Sequence, residues 1–165
     1  MRNNGSIAGA VQNLEYVVSK DPFYLDSLAQ LGRAYYYAGR YKHAFQVLTR
    51  AVKVNPEDEI AWIVLGLTQL RLGDDTQGLE SFKGGITLFI KHSQDGYKDI
   101  DNIFWDTRGV VRRTVRRSIF LSRKGVDEKK KVIRIGEILL NRIDRELYQA
   151  DYDQDQNKWD YDGGA

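Results

Sequence analysis

The chain has 165 residues, 42% hydrophobic and 29% charged, with 2 prolines and no cysteine. That balance fits a helical globular chain of one domain, or a short array of repeats, long enough to bury a core unaided. The missing cysteine excludes disulfides, thiolate nucleophiles and Cys-ligated metals. The N-terminus lacks the apolar core of a signal peptide and no apolar run reaches the ~18 residues of a membrane span, so the cytoplasm is the expected location.

In chain order, the first expected element is a helix over residues 6–20, with Ala10, Val11, Leu14, Val17 and Val18 as its apolar positions. Residues 25–58 then read as a helix pair. Leu28, Leu31 and Tyr35 stripe the first helix, Gly32 admits a close neighbour, and Gly39 ends it. Ala44, Leu48, Ala51 and Val52 stripe the second, and Asn55-Pro56 closes the unit. So short a turn makes the two antiparallel. Residues 59–92 repeat the plan. A slide of 34 residues lays Leu31-Gly32 on Leu65-Gly66, Leu28 on Trp62, Gly39 on Gly73, Leu48 on Phe82 and Ala51 on Gly85. Sliding the other way puts Ala44, Leu48 and Pro56 on Ala10, Leu14 and Pro22, so residues 6–24 read as the second half of a preceding unit. Trp62 and Leu65 are expected in the core.

Residues 93–103 read as a loop, and 104–150 as a two-helix C-terminal cap over the end of the array. Its first helix, ~104–123, has a narrow stripe of Val111, Val115, Ser118, Ile119 and Ser122. Trp105 and Gly109 faintly echo Trp62 and Gly66. Gly125 and Asp127 mark the break, and Val132, Ile135, Leu139, Ile143 and Leu147 stripe a last helix over ~128–149. Charge is segregated along the chain. Residues 104–150 carry a net +7, while the acidic tail, 151–165, carries −4. That tail is expected to lie over or screen the arginines of the cap.

The spacing Leu28-x2-Leu31-Gly32-x2-Tyr35, Ala44-x3-Leu48, Pro56, followed by Trp62-x2-Leu65-Gly66, Gly78-x3-Phe82, resembles the tetratricopeptide repeat. The resemblance covers residues ~6–92. It departs from the family pattern at Leu28, Leu48, Gln69 and Gly78, and the second unit has no closing proline. It implies an all-α solenoid of antiparallel helix pairs, a right-handed superhelix whose first helices line a concave groove. It also implies a protein-interaction scaffold or adaptor that holds a peptide or helix of a partner protein. On that basis the groove set is Arg33, Tyr36, Tyr37, Ile63, Leu67 and Arg71. The competing reading is that Tyr36 and Ile63 pack beneath the final helices, which then fill the groove. Ala29 and Val64 stand where a clamp for a C-terminal carboxylate would need polar residues.

A second candidate surface is the basic face Arg112, Arg113, Arg116 and Arg117, whose pairs four apart stack like charges. It is read as a solvated face, as a dock for an acidic protein segment, or as a polyanion dock. The near-neutral total and the acidic tail count against nucleic acid and membrane surfaces. Asp151, Asp153, Asp155 and Asp162 have calcium-loop spacing, but Gln156 replaces the required glycine. No nucleophile–base pair, phosphate loop, cofactor motif or metal motif is present, and His43 and His92 are expected to face water near helix ends. The chain is therefore not read as an enzyme. The unmatched apolar flank of residues 6–20 leaves self-assembly through the array end, most simply a homodimer, as a further expectation.

Overall fold

The structure, a computed structural model, describes residues 4–24, 26–96, 106 and 108–161. Its helices are α1 (Asn4–Lys20), α2 (Ser27–Tyr37), α3 (Tyr41–Val54), α4 (Glu59–Leu72), α5 (Asp75–Gly96), α6 (Val110–Arg123) and α7 (Lys129–Tyr161). There is no strand among the described residues. The fold is an all-α helical repeat array with the C-terminal helices packed against it.

The pairs α2–α3 and α4–α5 form for the reasons their sequences give. Gly39 and Gly73 end the first helices with φ of 74° and 88°, which side-chain-bearing residues rarely adopt. Asp58 caps α4 by accepting from Ala61 N at 2.9 Å. Ala44, Leu48 and Phe82 have no exposed surface. A β-carbon added at Gly66 would stand 2.5 Å from the Phe82 backbone nitrogen, so α4 and α5 cross backbone to backbone. Residues Ile63 to Leu70 are buried without a break. A helix apolar all round is an interior helix, and α4 packs on α2, α3, α5 and α7 at once.

Several expected positions are corrected. Leu65 is in the core, but Trp62 is only half-buried and donates its Nε1–H to Pro56 O at 2.8 Å. Trp62→Ala should therefore cost about 2 kcal/mol, below the roughly 3–5 kcal/mol of a fully enclosed aromatic. Urea denaturation would measure it, and a loss above ~4 kcal/mol would mean the ring is enclosed after all. Helix α5 runs on to Gly96, into the segment read as a loop. Helix α6 begins at Val110, not 104, because Gly109 is left-handed at φ 65° and the buried Asp106 carboxylate accepts from the Val111 and Arg112 amides. Gly109 thus stands before a helix, whereas Gly66 lies inside one, so the echo of a third repeat is not in register; Trp105 lies outside the described residues.

Helix α7 turns back along α6 and continues to Tyr161, well past the expected end. Arg108 pairs with Glu146, and Arg142 donates to Thr114 Oγ1 at 2.6 Å, so the start of α6 lies beside residue 146. At ~1.5 Å per residue, the acidic stretch 151–161 is carried up to roughly 22 Å beyond that point. It does not lie over Arg116 and Arg117, because a continuous helix cannot fold back. Residues 162–165 lie outside the described residues.

Candidate functional site

The three consecutive tyrosines of α2 show how the concave face is organised. Successive helical residues point about 100° apart, and each ring here finds a different neighbour. Tyr35 turns to α1, where its hydroxyl donates to Glu15 at 2.5 Å. Tyr36 turns to α7 and donates to Glu137 Oε1 at 2.6 Å. Tyr37 stays half-buried on the open side, with the Arg33 guanidinium 5.7 Å from its ring centre.

Helix α7 lies along the groove that α2 and α4 form. Arg71 pairs with Glu137 at 2.7 Å, and Arg33 forks onto both carboxylate oxygens of Asp144 at 3.2 and 2.5 Å. Glu137 and Asp144 are seven residues apart, two turns along one face. One residue before the Glu137 clamp, Gly136 sits on the array. A β-carbon there would meet Leu67 Cδ2 at 2.7 Å and the Phe82 ring at 2.9 Å. Burial pushes the Tyr36 hydroxyl far above the usual tyrosine range; Arg71 opposes that shift and Glu137 reinforces it. Ile63 and Leu67 have no exposed surface, and Tyr36 has 3%. Of the six groove residues, these three lie inside the protein, Arg33 and Arg71 are held by α7, and Tyr37 borders open space. The α7 partners Gly136, Glu137 and Asp144 were missed from sequence. Their signal was a lone glycine in an apolar stripe, followed by two acids at heptad spacing.

Residues 25–68 match the tetratricopeptide repeat family. The α2–α3 pair and most of α4 lie within that match, and α4–α5 repeats the same helix-pair plan. The chain is also 33% identical over 92 residues to the "Protein CTR9 homolog" of Arabidopsis thaliana, a match covering 55% of this chain and 8% of that protein. No solved structure matches significantly. The tetratricopeptide array explains why α2 and α4 share one face, with α3 and α5 behind them. What it does not supply is the occupant of that face, here α7.

Outside the tetratricopeptide groove, the basic face of α6 is exposed. Arg112 is tied back to Asp106 and Arg113 donates to the Arg108 carbonyl oxygen at 3.0 Å, while Arg116 and Arg117 are exposed on the same helix as Phe120, which is 59% exposed. Lys124 lies 4.5 Å over the Phe120 ring. Asp99 and Asp101, acidic residues earlier in the chain that would be counter-charges for a solvated face, lie outside the described residues. No group of three His, Cys, Asp or Glu side chains able to hold a metal occurs among the described residues, and no described helix is long and apolar enough to cross a membrane.

His92 ties α5 to the start of α4 at one end of the second pair. Its Nδ1 lies 2.9 Å from Glu59 Oε2 and its Nε2 3.2 Å from Glu57 Oε2. His43 is exposed, as expected, but His92 is half-buried and paired. The hydrogen bond to Glu59, against some desolvation and with help from Glu57, raises its pKa above the ordinary value. A histidine raised on folding stabilises the fold below its unfolded pKa of about 6.5, and that contribution is lost as pH rises through the folded value. An NMR titration should show His92 above ~6.5 in the wild type and lower in Glu59→Gln. Equal midpoints would contradict the pairing.

Proposed function

We propose that the protein is a scaffold that grips helical segments along its concave side, with Arg33, Tyr36, Tyr37, Ile63, Leu67 and Arg71 forming the gripping surface. Tetratricopeptide repeats generally mediate protein–protein interaction. The observation that carries the reading is the seating of α7, a helix held by arginine–carboxylate clamps two turns apart and a glycine pressed on Leu67. A partner helix with the same pattern competes for this surface. Affinity purification with quantitative mass spectrometry, wild type against Arg33→Glu and Arg71→Glu, tests it. Partners lost from both variants support the reading, and an unchanged partner set overturns it.

A second reading rests on the exposure of Arg113, Arg116 and Arg117 around Phe120. That face would dock a polyanion, either nucleic acid or an anionic surface. Its binding would fall steeply with salt and would vanish in Arg116→Glu/Arg117→Glu without touching the groove.

A further inference from the structure

The repeat register identifies what the uncovered face of α1 is shaped to hold. In each complete pair, the second helix meets a first helix through a glycine. Leu48 of α3 packs where a β-carbon on Gly32 would stand 2.4 Å from its Cγ, and one on Gly66 would stand 2.5 Å from the Phe82 backbone nitrogen of α5. Leu48 and Phe82 are both fully buried as a result. Helix α1 carries the equivalent residues one period earlier, Ala10 for Ala44 and Leu14 for Leu48. Yet Ala10 is exposed and Leu14 only half-buried, and no described helix faces them in the place α2 takes on α3. A cleft of about 670 Å³ opens there, lined by Ile7, Ala10 and Leu14 of α1 and by Ala29, Ala34 and Tyr37 of α2.

The rim adds a charge preference. Asp26 and Asp58 border the cleft, and the partly buried Asp58 is raised chiefly by burial and further by its acidic neighbours Glu59 and Asp26. Asp144 is already taken by Arg33.

We infer that this cleft is a docking site for an amphipathic helix of the first-helix type. Such a helix presents glycine or alanine over Leu14, aliphatic residues to Ala10 and Ala29, and a lysine or arginine towards Asp26 and Asp58. The cleft adjoins the α7 groove and shares Arg33 and Tyr37 with it, but the inference is read at Leu14 and Ala10 and not at Tyr36 and Arg71.

The protein itself supplies a probe. Residues 25–40 contain α2, the helix that fills the equivalent slot one repeat later. This segment, stapled on its outward face to hold it helical, would be titrated into the ¹⁵N-labelled full chain. Saturable binding is expected, with shift changes centred on Ala10, Leu14 and Ala29. A Gly32→Leu version of the probe should bind at least ~10-fold more weakly, since its side chain overlaps Leu14. Ala10→Trp in the protein should also lose binding, and because Ala10 is exposed this variant keeps the fold, as far-UV circular dichroism would check. No saturable binding, or equal binding by wild type and Ala10→Trp, overturns the inference. So do shifts confined to Tyr36 and Arg71, which would place the probe in the α7 groove instead. Light scattering that shows the wild type dimerising, and Ala10→Trp monomeric, also overturns it and assigns the cleft to a second copy of the chain.

Discussion

Gly66→Ala is expected to destabilise the protein by at least ~3 kcal/mol, although alanine is the better helix former by about 1 kcal/mol. The added carbon would stand 2.5 Å from the Phe82 nitrogen and 2.8 Å from the Gly78 oxygen. Both are backbone atoms, so no rotamer change relieves the overlap and α4 must move off α5. Overpacking costs typically 1–3 kcal/mol where side chains can adjust, and here they cannot. Gly85→Ala should behave alike, against Ile63 N at 2.7 Å, whereas Gly84 has nothing within 4 Å. Gly84→Ala should therefore stabilise by roughly 0.5–1 kcal/mol, giving adjacent glycines opposite signs. Urea midpoints of the three variants measure this directly. A Gly66→Ala protein as stable as wild type would mean that α4 and α5 do not cross this closely.

The second large effect should come from Gly136→Leu, which drives a branched side chain into Leu67 and Phe82. Those two residues are fully buried and belong to the array core, so α7 is the helix expected to yield. Hydrogen exchange should then show protection lost along α7 and the Tyr36 hydroxyl freed, while α2 to α5 keep theirs. The exposed Leu67 surface should bind a hydrophobic dye. If protection falls equally in all helices, α7 is part of one cooperative unit and cannot be displaced as a separate occupant. If α7 keeps its protection, Gly136 is not the contact that seats it.

Much of the array was legible because its information is local and repeated. Gly32, Gly66, Gly39 and Gly73 each answer a nearby steric demand, and the 34-residue period states that demand twice. The helix pairs, their antiparallel turn and the core places of Leu28, Leu31, Ala44 and Leu48 follow from that alone. Trp62 was misjudged because the family pattern gives a position in the repeat and not the enclosure around it. From the end of the second pair onward, the expected boundaries of α5, α6 and α7 slipped. Their ends depend on Asp106 reaching the amides of Val111 and Arg112, and on a helix that simply continues.

The sequence by itself determined that residues 25–92 pair their helices and that α1 carries the face of a second helix. Only the tertiary structure decided what covers the concave face. Periodicity tells which face of a helix is apolar but not which distant helix meets it, since α7 lies 66 residues beyond Arg71 at their shared contact with Glu137. Glu137 and Asp144 look like ordinary solvated acids until the chain folds back and brings them to Arg71 and Arg33. The same folding leaves Ala10 and Leu14 uncovered, because no described helix is placed to give Leu14 the glycine that Leu48 and Phe82 each meet.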